Sequence, residues 1–327
     1  MRVFLVGASG AIGSRLIPQL IDAGHEVIGT HVRPDSAATV RALGATPLAL
    51  DLLDPTAVRA ALRESTPDAV LHEATALADI RFGRNFDRVF AHTNRLRREG
   101  TDTLLAAARE AGVRRFVAQS FASYRNAREG SVLKTEQDPL DPAPPATMAE
   151  SSAAMAHLES SVVAAGGLVL RYGGFYGAAN DGLIEPVRKR QFPIVGDGGG
   201  VLCFVHLDDA AAATVLALDH GEPGIYNVVD DDPAPAREWL PVYAAALGAK
   251  PPRHVPRWLA RIMAGEPAVV MGTEARGVSN AKAKRELGWT LRYPSWRAGF
   301  AAAYPVKAPP AAAGSPAPSP RPSRAAG

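Results

Sequence analysis

The sequence predicts an α/β protein with a doubly wound parallel sheet and a smaller C-terminal lobe. Three observations predict it. The apolar run Val3-Phe4-Leu5-Val6 leads straight into the glycine-spaced turn Gly7-Ala8-Ser9-Gly10-Ala11-Ile12-Gly13. Short apolar runs then alternate with amphipathic segments as far as Arg171. From Gly173 onward the glycine density rises. Repeated strand–helix alternation with short loops is the pattern of a Rossmann-type sheet covered on both faces.

The first unit carries the strongest signal. Ile12, Leu16, Ile17 and Leu20 follow the glycine turn at helical spacing, and Asp22-Ala23-Gly24-His25 stops the helix. Glu26 to Thr30 reads as the next strand. Glycines at this spacing let the chain turn sharply and let backbone N–H groups approach a pyrophosphate. The helix N-terminus adds the positive end of its dipole. The unit predicts a bound dinucleotide, held by Gly7, Ser9, Gly10, Ile12 and Gly13.

The second strand ends in Thr30-His31-Val32-Arg33-Pro34, with no carboxylate before Asp35. A carboxylate there would bind the ribose of NAD, whereas a basic residue accommodates the 2′-phosphate of NADP. Thr30 can hydrogen-bond, and Arg33 can give a forked contact to phosphate. NADP(H) is therefore expected, with NAD(H) as the alternative.

The remaining elements follow in order. A helix over 38–43 ends at Gly44, and a strand over 46–50 closes on Asp51-Leu52. Asp54 caps a helix from Pro55 to Arg63. Strands are expected at 68–72, 114–119 and 168–171, with a long helix over 85–111 and another over 147–165. The stretch 123–145 reads as irregular, 202–207 as a strand, 208–218 as a helix, and 225–229 as a strand returning to the sheet. Ligands in such sheets sit beyond the carboxyl ends of the strands. That adds Asp51, Leu52 and Ala74 to the expected cofactor contacts, with Asp51 placed to accept from an adenine amino group or to cap its own loop. Glu73 is expected near the nicotinamide end. The expected division is a dinucleotide domain over 1–171, a mainly substrate-binding lobe over 172–304, and a disordered Pro/Ala-rich tail over 305–327.

Composition excludes several classes. The 327 residues are 47% hydrophobic with a net charge of +3, which is globular composition and not a nucleic-acid footprint. Basic runs such as Arg95-Leu96-Arg97-Arg98 read as solvated faces. The lone cysteine, Cys203, rules out an internal disulfide and reads as a buried structural thiol. No apolar run reaches the length of a membrane span, and no metal-binding histidine spacing occurs, so neither a membrane nor a metal is expected. The chain opens on a core strand, which leaves no room for a signal peptide, and a cytoplasmic location is expected.

With these pieces laid out, the chain resembles the extended short-chain dehydrogenase/reductase superfamily, in its NAD(P)-dependent epimerase/dehydratase group. The resemblance runs from residue 1 to about residue 304. It is carried by the glycine turn, by Thr93-Asn94 followed by Glu99-Gly100-Thr101, and by Arg115-Phe116-Val117-Ala118-Gln119-Ser120. Leu170-Arg171-Tyr172-Gly173-Gly174-Phe175-Tyr176-Gly177, Phe204-Val205-His206-Leu207-Asp208-Asp209 and Glu286-Leu287-Gly288-Trp289 also match in order. It implies a small hydroxyl- or carbonyl-bearing substrate, hydride chemistry at the nicotinamide, and a homodimer through paired helices.

One departure is large. The family's Tyr-x-x-x-Lys pair, in which the lysine lowers the phenol pKa, falls on Ser151 and Met155. No tyrosine in the chain has a lysine four residues later, so the chain groups with the atypical members. Ser120 stands where the family's active-site serine stands, and the candidate proton donor is Tyr124, with Arg128 four residues on as its partner, or an ordered water. Tyr176 is a second phenol for the cleft, and His157 reads as a surface residue. An NAD(P)-dependent epimerase, dehydratase or reductase is the expected activity. The alternative is a cofactor-binding sensor that has lost the chemistry.

Overall fold

The computed structural model describes residues 1–77, 85–177 and 182–304. The tail predicted at 305–327 lies outside them. Seven strands form one parallel sheet: β1 (Arg2–Val6), β2 (Glu26–His31), β3 (Thr46–Ala49), β4 (Ala69–His72), β5 (Arg115–Phe121), β6 (Leu168–Tyr172) and β7 (Gly224–Val228). Their spatial order is 3-2-1-4-5-6-7. The order reverses between β1 and β4, and that switch point is where such sheets bind ligands.

Both faces of the sheet are covered, which explains why its strands read as near-continuous apolar runs. In β1, Val3 and Leu5 enter one core cluster with Leu16, Ile17 and Leu20 of α1 (Gly13–Asp22). Phe4 and Val6 enter the other, with Val58 and Leu62 of α3 (Pro55–Ser65). The short α2 (Ser36–Ala42) lies between β2 and β3 in the chain. Asp54 caps α3 as expected, its Oδ1 accepting from the Thr56 and Ala57 N–H groups. A third cluster is largely aromatic and joins Tyr176, Phe204, Trp239, Tyr243, Trp296 and Phe300.

Two predicted elements divide. The helix expected over 85–111 is α4 (Phe86–Arg95), a π-helical turn over Leu96–Gly100, and α5 (Thr101–Glu110). The strand expected over 202–207 breaks at Cys203: Val201–Leu202 pairs antiparallel with Ala234–Pro235, and Phe204–His206 pairs parallel with Gly174–Tyr176. The helix after it begins at Leu207, capped by His206. Cys203 is buried and its thiol is pushed up to about 12 by that burial, in keeping with a structural role. The helix after the irregular stretch is α6 (Ala149–Ala164).

Candidate functional site

The glycine turn closes against the end of β4. Gly7 has φ +90°, and a Cβ there would sit 2.7 Å from the Glu73 carbonyl oxygen. A Cβ at Gly13 would collide with the Gly7 carbonyl oxygen. Neither position admits a side chain, so the chain reserves this space for backbone, as a pyrophosphate cradle requires. The Gly10 N–H turns back on the Gly7 carbonyl at 3.0 Å. Ser9 and Gly10 stay accessible, whereas the Ile12 side chain is buried in the core and leaves only its backbone toward a ligand.

Thr30 is buried, and its Oγ1 accepts from the Gly7 N–H at 3.4 Å, tying β2 to the turn. Arg33 is exposed, with only a loose 3.9 Å contact to Asp35, so its guanidinium is available at the end of β2. Asp51 uses Oδ1 to accept from the Leu53 N–H at 2.9 Å, a local turn bond. Leu52 is buried, its Cδ2 lying 2.7 Å from where a Gly100 Cβ would stand. Ala74 follows Glu73 at the switch point, half-buried. Glu73 itself is buried. Its Oε1 accepts from the Tyr172 hydroxyl at 3.1 Å, and its carbonyl accepts from Gln119 at 2.8 Å. Burial pushes its carboxyl up to about 8, so it is largely protonated at neutral pH.

Beyond β5 the structure places Ser120 in a buried ion cluster. Its hydroxyl donates to Glu159 Oε1 at 2.6 Å and accepts from Arg125 Nη1 at 3.2 Å. Glu159 also takes Arg125 at 2.5 Å and Arg171 at 2.7 Å. Burial alone would raise this carboxyl, but the two guanidinium groups overwhelm it and hold Glu159 at about 2. Tyr124 has φ +54°, a left-handed conformation that is costly for an aromatic residue. Its ring meets Phe86 edge-on at 5.8 Å. Burial raises its hydroxyl, and Arg97 and Arg125 pull the other way.

The expected pairing of Tyr124 with Arg128 does not form. Arg128 instead binds Asp141 at 3.1 Å and Glu274 at 2.9 Å. The stretch is not helical, so a spacing of four does not bring the two side chains together. Tyr176 is likewise packed inside the aromatic cluster, against His206 and Phe300, rather than open to a cleft. His157 is on the surface as expected, 2.8 Å from Asp102.

The positions of the missing pair are filled. Ser151 is buried; its hydroxyl donates to Asp87 Oδ1 at 2.6 Å and accepts from Asn94 Nδ2 at 2.9 Å. Asp87 also accepts the Glu150 and Ser151 N–H groups, which caps the start of α6. Met155 is wholly buried. A hydroxyl locked between two fixed partners, one turn from a thioether, cannot exchange a proton as a lysine-activated phenol does.

Sequence reasoning missed Arg97. The basic run at 95–98 is solvated at Arg95 and Arg98, which pair with Glu99 and Glu150. Arg97 is only 8% exposed. The π-turn supplies the reason: its extra residue per turn brings Leu96, Arg97 and Gly100 inward together. No residue in the run signals that turn.

A concavity of about 260 Å³ opens beside Tyr124, lined also by Leu140, Met148, Ser152 and Ala156. None of its lining residues belongs to the glycine turn. Among the described residues no cluster of metal-ligating side chains occurs, and no helix is long and apolar enough to cross a membrane.

A strand-order switch, a glycine turn closed to side chains and a capped α6 define a dinucleotide-dependent enzyme of Rossmann type. The sequence pattern of the NAD dependent epimerase/dehydratase family matches residues 3–228, and the chain belongs to that family. It is 41% identical over 313 residues to a 3-diazoavenalumate denitrifying reductase from a Streptomyces species, covering 92% of this chain and 99% of that protein. It is 30% identical to a 4-hydroxy-2-methyl-3-oxo-4-farnesyl-3,4-dihydroquinoline-1-oxide ketoreductase from Stigmatella aurantiaca, covering 89% of this chain and 92% of that one. The solved UDP-glucose 4-epimerase of Thermus thermophilus, a complex with NAD, superposes with a TM-score of 0.69 at 27% identity, covering 92% of this chain and 96% of that one. The chain is thus an NAD(P)-dependent enzyme of the epimerase, dehydratase and reductase kind, acting on a small molecule, without the usual Tyr-x-x-x-Lys pair.

Proposed function

We propose that this protein is an NADPH-dependent reductase whose reaction needs no protein acid: reductive removal of a diazo group from a small aromatic compound. The observation that carries this reading is the replacement at α6. Where the family has its phenol and ammonium, this chain has a serine held by Asp87 and Asn94 and a buried methionine. Reduction of a carbonyl makes an alkoxide, which needs a proton in the transition state. A diazonium carbon needs none: the new C–H bond forms, the C–N bond breaks, and its electron pair leaves with neutral dinitrogen. The name of the Streptomyces relative supports the same class of substrate.

In this reading Gly7, Ser9, Gly10, Ile12 and Gly13 hold the pyrophosphate through backbone N–H groups, with Ala74 and the Asp51-Leu52 turn around the rest of the cofactor. Arg33, exposed and held only loosely by Asp35 at 3.9 Å, takes the 2′-phosphate, which favours NADP(H) over NAD(H). The bound cofactor supplies the hydride. Ser120 is a positioning residue that links β5 to Glu159, and Tyr124 flanks the substrate without donating a proton. Residues 172–304 supply most of the substrate wall.

A second reading, carbonyl reduction with Tyr124 as the acid, is supported by the two guanidinium groups that act on its hydroxyl and by the ketoreductase relative. Purified protein given NADPH and either 3-diazoavenalumate or a panel of aryl ketones separates the two. The first reading expects one dinitrogen released per NADPH consumed and little ketone turnover. Ketone turnover without nitrogen release would overturn it.

A further inference from the structure

Arg97 is a buried cation with no ion-pair partner among the described residues. Its Nη1 has no hydrogen-bond partner, and among the described residues no carboxylate pairs with it. It sits in the π-turn between the end of β4, where it acts on His72, and the segment beyond β5, where it acts on Tyr124. Those are the carboxyl ends of two strands beside the switch point, where a substrate lies next to a dinucleotide in this class of sheet.

Among the described residues the local charges do not balance. Arg125 and Arg171 both bind Glu159, and the Glu159 charge also acts on Arg97. Arg125, Arg171 and Ser120 already occupy the oxygens of that carboxylate. Asp87, on α4, is committed to the first turn of α6 and to Ser151. An unpaired buried charge is costly, and a planar guanidinium answers best to a bidentate carboxylate. The 2′-phosphate of the cofactor is not the missing anion, because it belongs at Arg33 and the end of β2, on the other side of the switch point. Ser123, next to Tyr124, adds a buried hydroxyl without a partner.

We propose that Arg97 is a substrate-binding residue that recognises a carboxylate on the substrate, so that the enzyme acts on aromatic acids and rejects their neutral counterparts. The proposal deepens the reductase reading above and rests on its placement of the substrate. It can fail independently of that reading.

The test uses the full chain loaded with NADP⁺ and matched probes: benzoate against benzamide, and cinnamate against cinnamamide, with binding followed by calorimetry. The wild type should prefer the acid in at least one pair by about tenfold or more. Arg97→Met should abolish that preference while binding NADPH normally, and Arg97→Lys should restore part of it, because it keeps the charge and loses the fork. No preference for an acid in either pair, including no binding of any probe, overturns the proposal. So does a preference that survives in a folded Arg97→Met protein. Should that variant fail to fold, the Lys variant decides: an unchanged preference counts against the proposal and a reduced one supports it. Failure of the reductase reading has a different signature: carboxylate preference present, but no NADPH consumed with the diazo compound.

Discussion

The glycine turn and the start of α6 lie at the same end of the sheet, yet they relate differently to the family they come from. At the turn, the residues and the geometry agree. Gly7 and Gly13 leave no room for a Cβ because the backbone of Glu73, Gly7 and Ala8 fills that space. At α6, the helix is in place but its chemistry has been exchanged. The family's two proton-handling positions hold Ser151, tied to Asp87 and Asn94, and Met155, sealed in the core. The difference teaches that the fold can keep its glycine turn while the side chains at the start of α6 change. The turn is made of backbone and has no room for a side chain at Gly7 or Gly13, whereas the positions at α6 are side chains whose chemistry a substitution replaces without disturbing the helix.

Breaking the cradle should have the largest effect. Gly13→Ala drives a methyl group into the Gly7 carbonyl and displaces the turn; NADPH affinity, read by cofactor fluorescence, should fall at least about 100-fold. Near-normal affinity would show that the turn is not the cradle. Next comes the ion cluster that braces α6 against β5 and β6. Glu159→Gln leaves Arg125 and Arg171 without their carboxylate and should cost about 3–5 kcal/mol in urea unfolding. Its pH signature follows from a native value of about 2, below that of the unfolded chain. The stabilisation is complete above the unfolded carboxylate range and is lost as pH falls toward about 2.

Glu73 gives the opposite slope at the switch point. Its native value of about 8 lies above that of the unfolded chain, so the folded state holds a proton that the unfolded state releases. Stability should fall as pH rises from the unfolded carboxylate range through about 8, by on the order of a few kcal/mol in total. Glu73→Gln should flatten that limb in urea titrations at several pH values. The smallest effect is expected at Tyr124. Tyr124→Phe should change turnover of the diazo compound by less than about threefold, whereas loss of a positioned acid would cost roughly 10²–10⁴-fold.

Much of the fold was legible because it is written in period and punctuation. The alternation of Val3, Phe4, Leu5 and Val6 between two cores is a property of adjacent residues, and Asp54-Pro55 announces its helix locally. The glycine turn was legible for the same reason. The site beyond β5 was less so. Tyr124 and Arg128 share a spacing but not a helix, so Arg128 went to Asp141 and Glu274. Ser120 met a glutamate 39 residues away, and Ser151 an aspartate 64 residues away, contacts that only the tertiary fold creates. Arg97 was hidden by a single extra residue in a helical turn, which leaves no compositional trace.

The central claim is that hydride reaches carbon here without a protein acid. Incubating the enzyme with 3-diazoavenalumate and NADPH carrying deuterium at both C4 positions, in ordinary water, tests it most directly. The expected product carries one deuterium on the ring carbon that bore the nitrogen, with dinitrogen released in equal amount. Hydrogen from solvent at that carbon, or consumption of NADPH without release of nitrogen, would contradict it.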